Sequence, residues 1–285
     1  MIIVKLMGGL GNQLFQYAFG RRTALVNNTE LKLDISLYGQ NIPGTTPRHY
    51  SLADFATIQN IASSQETATF TESFLDKIKT ISKKKYIRQE DFEFKPDFLT
   101  IGPSAYLEGY WQSEKYFKDI ETTVRQEIRL RSPLSDRARD LAEKIKNTRS
   151  VSIHFRRGDY ASDRKTNVLH GICSPDYYQK AIKYIAQRVQ EPEFFVFSDD
   201  IPWVKENFNC NYPVTFVEGT AREQEDLMLM SACQHNIVAN SSFSWWGAWL
   251  NTHTDKTVIA PEQWFKDPNI KVDDLIPKSW TLLAK

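Results

Sequence analysis

The sequence predicts an α/β protein built on parallel sheets. Three observations carry that expectation. From residue 151 onward, apolar segments of strand length alternate with stretches of helical period. The connections between them are short, and the chain opens the same way, with strand, helix and strand inside its first 34 residues. Residues 2–6 read as a buried strand, 12–25 as a helix and 31–34 as the next strand. Residues 40–105 are polar and mixed and read as short helices and loops. Residues 106–111 read as a strand running into a loop, and helical stretches are expected near 114–129 and 135–146. Lys146-Asn147-Thr148-Arg149 reads as a linker, dividing the chain into domains 1–149 and 150–285. In the second domain strands are expected at 151–156, 194–198, 214–217, 237–239 and 258–260. Ser174 as cap and Pro175 as first residue open a helix with Tyr178, Ala181, Ile182, Ile185 and Val189 at helical spacing, and 223–233 and 242–250 read as further helices. There is no internal repeat and no low-complexity segment.

Composition narrows the function. With 36 Lys and Arg against 35 Asp and Glu, the net charge is +1, so no bulk field exists to hold a nucleic acid or an anionic membrane, and any anion site must be local. Lys83-Lys84-Lys85, the one tight basic run, lacks interleaved aromatics and reads as a solvated loop or helix end. Cys173, Cys210 and Cys233 are odd in number and have no metal-ligand spacing, which fits a reducing cytoplasm rather than a disulfide framework. The apolar start is too short for a secretory signal or a membrane span, so no integral membrane segment is expected, and the sequons at Asn27 and Asn240 have no acceptor role.

Three polar motifs follow three strands. Along 151–156, Val151, Ile153 and Phe155 point to one face and His154 and Arg156 to the other, with Arg157, Gly158 and Asp159 in the turn. Adjacent arginines before a glycine suit a doubly charged phosphate, because each guanidinium presents a planar fork of donors. The plainer alternative is a surface ion pair between Arg156 or Arg157 and Asp159. Ser198-Asp199-Asp200 places carboxylates where a base or a ribose hydroxyl could bond, or where a helix needs a cap. Asn240-Ser241-Ser242-Phe243-Ser244 opens a helix, whose N–H groups and positive dipole end suit a phosphate; the alternative is capping, with Trp245 and Trp246 as core. Ligands of open parallel sheets bind beyond the carboxyl ends of the strands, so these motifs should face one crevice. The loop Gly8-Gly9-Leu10-Gly11-Asn12-Gln13 is not a dinucleotide fingerprint, since Leu14 takes the place of the third glycine. Neither a P-loop nor an Asp-x-Asp nor a His/Cys cluster occurs, so no metal is expected and arginines must neutralise any departing diphosphate.

Taken together, residues 8–16, Gly109-Tyr110-Trp111-Gln112-Ser113, 154–160, Phe197-Ser198-Asp199-Asp200 and 240–246 resemble the α1,2-fucosyltransferases of glycosyltransferase family 11, in order from residue 1 to about 260. The resemblance implies a GT-B fold of two Rossmann-like domains facing a central cleft. The acceptor side would be 1–149 and the GDP-sugar side 150–285, with the last helix free to pack back on the first domain. It also implies a GDP-fucose donor, a galactose-containing glycan acceptor fucosylated on its 2-hydroxyl, inversion, and no metal or other cofactor. Carried over residue by residue, the family's HxRRxD pattern falls on His154, Arg156, Arg157 and Asp159, with Arg157 or Arg156 gripping the diphosphate. Ser241, Ser242 and Ser244 share that role, in one turn with Asn240 and Phe243. Asp199 or Asp200 is then the candidate for guanine or ribose, and Asn12, beside Gly11, for the diphosphate or fucose. Tyr110 and Trp111 offer a face to a sugar or pack in the core. For the general base, Asp159 comes first, ahead of Asp163, His154 and His170; it could equally orient Arg157 or an acceptor sugar. The rival readings are a transferase for another GDP-sugar or linkage, and a non-catalytic sugar-nucleotide-binding module. The expected location is the cytoplasm, with peripheral membrane association left open.

Overall fold

In the computed structural model, residues 1–40, 47–71, 85–158, 168, 171–267 and 269–285 are described. The chain divides into one unit of Met1–Arg131 with Lys271–Leu275 and a second of Ser132–Ile270 with Ile276–Lys285.

The first unit is built on a parallel sheet of β1 (Ile2–Lys5), β2 (Leu31–Asp34), β3 (Lys85–Arg88) and β4 (Ala105–Glu108), in the order β2-β1-β4-β3. Ile2, Ile3 and Val4 are fully buried. Helix α1 (Leu10–Val26) lies close on β1, since a Cβ added at Gly20 would come within 3.0 Å of Val4. The helix begins two residues earlier than expected, at Leu10, so Gly11 stands in its first turn with Asn12. Two short helices follow in the chain, α2 (Ser64–Thr71) and α3 (Glu121–Glu127). The single helix expected near 114–129 is instead two 3-10 turns, Glu114–Tyr116 and Lys118–Ile120, followed by α3.

The second unit carries a six-stranded parallel sheet of β5 (Ser150–Phe155), β6 (Glu193–Ser198), β7 (Val214–Phe216), β8 (His235–Ile237), β9 (Val258–Pro261) and β10 (Thr281–Leu283). Its order, β10-β9-β8-β5-β6-β7, runs outward from β5 to β7 and then resumes on the other side of β5, as in a doubly wound Rossmann-like sheet. Helices α4 (Asp136–Lys146) and α7 (Glu223–Ala232) cover one face, where Phe195 and Phe197 join Leu141, Leu229 and Met230. Helices α5 (Pro175–Ala186) and α6 (Ile201–Asn207) cover the other, over Val151, Ile153 and Phe155. With both faces covered, all six residues of β5 are buried. Ser174 caps α5 as its sequence requires, its hydroxyl accepting from the Tyr177 N–H. Helix α8 (Ser242–Leu250) packs on α7, where a Cβ at Gly247 would meet Met230 at 2.8 Å.

Two further expectations change. The boundary between units falls at Arg131–Ser132 rather than at residue 149, because α4 is bound to the second unit. Ser135 caps α4, and its backbone N–H and hydroxyl both donate to the buried Glu225 carboxylate of α7 at 2.8 Å. The C-terminal region also ends on a strand, β10, not on a helix; Lys271–Leu275 is the part that groups with the first unit.

Candidate active site

A doubly wound sheet opens a crevice where its strand order reverses. Here that point lies between β5 and β8, which end on His154 to Gly158 and on Asn240 to Ser244. His154 turns to the face opposite Phe155 and meets Phe243, the ring centroids 5.8 Å apart. Its Nδ1 is buried and has no hydrogen-bond partner among the described residues. Burial, countered by the Asp199 charge and reinforced by Arg156, brings the imidazole down to about 4, so it is neutral at pH 7.

The arginines owe their placement to strand register. Strands β5 and β6 run parallel with Phe155 opposite Ser198, so Arg156 comes beside Asp199 and Arg157 beside Asp200. Arg156 Nη1 lies 2.8 Å from Asp199 Oδ2, and Arg157 Nε lies 3.3 Å from Asp200 Oδ2. The Arg157 backbone N–H donates to Asp199 Oδ1 at 2.8 Å, and its guanidinium sits 3.3 Å over the Trp203 ring. Asp200 also caps α6, accepting from the Trp203 N–H. All four carboxylate oxygens of Asp199 and Asp200 therefore accept bonds that hold the arginine loop or cap α6. Gly158 permits the approach, since a Cβ there would lie 2.5 Å from Asp199 Oδ2. Asp159, Asp163 and His170 lie outside the described residues.

At the start of α8 the five expected residues divide into two groups. Asn240 is fully buried; its amide donates to Gly171 O at 3.1 Å and Trp264 O at 3.0 Å, so it braces the turn from within instead of lining it. The Ser244 hydroxyl donates back to Ser241 O at 3.3 Å, and the Ser241 hydroxyl accepts from the Phe243 N–H. Ser242 and Phe243 are half-buried at the helix N-terminus, where the dipole favours an anion. Trp245 and Trp246 are fully buried, the core alternative of the sequence reading.

In the first unit the order reverses between β1 and β4. Buried Gln13 donates to Gly8 O and His49 O and accepts from the Ser51 N–H, and buried Gln16 accepts from the Met7 N–H, so two polar residues of α1 fasten the glycine loop. Asn12 is half-buried and accepts from Gln112 at 2.8 Å. Arg48 stands at the same loop, 3.8 Å from where a Cβ on Gly9 would be. Tyr110 is half-buried and stacked on Phe92, whereas Trp111 is core, packed against Phe19, Phe98 and Tyr116. Gln13, Gln112, Arg48 and Trp203 were not singled out from the sequence. The available signal was Asn12, Gln13 and Gln16, three carboxamides near the start of a helix that is otherwise apolar there. Among the described residues no group of three or more His, Cys, Asp or Glu stands together as metal ligands, and no helix is long and apolar enough to cross a membrane.

Comparison with known proteins gives the class: this is a glycosyltransferase. It belongs to glycosyltransferase family 11, whose model, Glycosyl transferase family 11, matches residues 1–284. The chain is 35% identical to an α1,2-colitosyltransferase of Escherichia coli, covering 100% of this chain and 99% of that one. It is 32% identical to the O-antigen biosynthesis glycosyltransferase WbnK of the same organism, over 93% and 95% of the two chains. The galactoside 2-α-L-fucosyltransferase SEC1 of Bos taurus is 25% identical over 52% of this chain and 43% of its own. Among solved structures, NodZ α1,6-fucosyltransferase soaked with GDP-fucose is 15% identical with a TM-score of 0.49, over 87% and 91% of the chains.

Proposed function

We propose that the chain transfers L-fucose from GDP-β-L-fucose to the 2-hydroxyl of a galactose-containing glycan, with inversion and without a metal ion. The observation that carries this reading is the strand reversal between β5 and β8, which gathers Arg156, Arg157 and the N-terminus of α8 at one end of a sheet in a family 11 chain. As the bond from the anomeric carbon to the β-phosphate oxygen breaks, its electron pair stays on the diphosphate. Fixed guanidiniums and helix N–H groups stabilise that charge more in the transition state than in the ground state. The acceptor oxygen attacks from the opposite face and its proton passes to a base. Asp159 is our candidate, and its rival duty of orienting Arg157 is already met by Asp200. We place the enzyme in the cytoplasm; its three cysteines are free.

A second reading is favoured by one observation: the relative matched over the whole chain at 35% identity is a colitosyltransferase. Colitose is L-fucose without its 3-hydroxyl, so the same site chemistry serves either donor. Incubating the purified chain with a galactose-terminated acceptor and either GDP-fucose or GDP-colitose, and weighing the product, decides. A fucosylated product is expected; transfer of colitose alone would install the second reading, and no transfer of either would end both.

A further inference from the structure

At the carboxyl ends of β1 and β4, two carboxamides distant in sequence meet: Gln112, 7% exposed, donates from Nε2 to Asn12 Oδ1 at 2.8 Å. A carboxamide fits its site two ways round, and one directional bond to its oxygen selects between them. The other side of the Asn12 amide is fitted too. A Cβ at Gly8 would come within 2.6 Å of Asn12 Nδ2, and Gly8 has a φ of +74° that suits glycine. The Asn12 NH₂ group thus sits against Gly8 while its oxygen faces Gln112.

Gln112 is itself aimed. Trp111 before it holds a φ of +54°, unfavourable for a bulky side chain and maintained only where the surroundings over-determine it. Here they do. The Trp111 ring is fully buried among Phe19, Phe98 and Tyr116, and Gln89 Oε1 accepts from the backbone N–H groups of Tyr110 and Trp111 at 3.1 and 2.8 Å. The Ser113 N–H closes back on Trp111 O at 2.8 Å.

We infer that Gln112 is a positioning residue that orients the Asn12 carboxamide so that its NH₂ group donates to the donor's diphosphate or sugar; the inference rests on the proposed role of Asn12 in holding that donor. A double-mutant cycle of Asn12→Ala and Gln112→Met tests it. Gln112→Met alone should lower kcat/KM about tenfold, within the span of couplings between contacting residues. In the Asn12→Ala background the same change should cost less than about twofold, because the group it positions is gone. Equal losses in both backgrounds would overturn the inference. Should Gln112→Met fail to fold, Gln112→Glu at pH 8 keeps the shape but cannot donate; it should lose a similar factor, and full activity there would overturn the inference. Independently of transfer, the Asn12 side-chain NH₂ resonances should shift in Gln112→Glu, and unchanged resonances would sink the idea. A wild-type chain that transfers neither sugar would refute the functional reading while leaving that spectroscopic result to judge the Gln112–Asn12 pair.

Discussion

Arg156 and Arg157 show what a sequence can and cannot disclose about single residues. That His154 turns to the face opposite Phe155 follows from strand alternation, and the Phe243 ring beside His154 bears it out. That the arginines take Asp199 and Asp200 as partners does not, because the pairing depends on the register of β5 against β6. Losing the charge and losing its alignment should therefore differ in size. Arg156→Ala is expected to lower turnover by ~10²-fold or more, the scale of losing one preorganised donor to a developing anion. Asp200→Asn, which keeps Arg157 charged but loosens it, should cost about tenfold. Steady-state rates beside GDP titrations check both, and an Asp200→Asn enzyme with unchanged turnover and GDP affinity would remove the positioning role. His154 adds a pH dependence. Unfolded, it binds a proton at its ordinary value near 6.5; folded, it does not until about 4. Over that interval the unfolded state holds more protons, so stability rises with pH and is lost on acidification from 6.5 to 4, by up to ~3 kcal/mol from this residue. Asp226, pushed up to about 6 by burial, against a bond from Thr220 and with help from Glu225 and Glu223, works in the opposite direction over the lower part of the window. Urea unfolding across the window should show unfolding free energy rising more, or falling less, with pH for wild type than for His154→Gln; matching slopes would contradict the assignment.

Elements were legible where they are buried and capped, and illegible at edges. Helix α5 was marked by Ser174 and Pro175, and β5, β6 and β9 by apolar runs that both sheet faces demand. Strand β3 escaped notice because Lys85, Tyr86 and Arg88 are exposed, leaving no apolar alternation to read, and the short, partly exposed β10 did likewise. The membership of α4 was hidden for a different reason: it is decided by Glu225, far along the chain, which is 1% exposed and accepts from Ser135 and Ala221. Burial acts to raise that carboxyl, but those bonds and the Arg222 charge hold it below the usual range. Glu225→Ala would leave the N–H groups of Ser135 and Ala221 without this partner at two helix starts. A loss of roughly 2–4 kcal/mol in unfolding free energy is expected, at ~1–2 kcal/mol per stranded group. Chemical denaturation measures it, and a change under ~0.5 kcal/mol, the range of ordinary surface substitutions, would show that α4 is held by its apolar face alone.

For the whole molecule, two parallel-sheet α/β units were foreseeable from alternating strand and helix patterns, and the family from motifs spread along the chain. The position of the boundary was not, since a polar run such as 146–149 looks the same whether it joins two domains or a helix and a strand of one. Nor does sequence or fold select the sugar, because the strand-end groups are proposed to grip the diphosphate that any nucleotide-sugar donor carries, and donors and acceptors differ elsewhere. The measurement that bears most directly on the central claim is the structure of the product. With EDTA present, GDP-fucose and a galactose-terminated oligosaccharide should yield a single new sugar whose NMR spectrum shows an α-linked fucose on the galactose 2-hydroxyl. A β-linked fucose, attachment at another hydroxyl, or transfer that appears only when a divalent metal is restored would contradict the account.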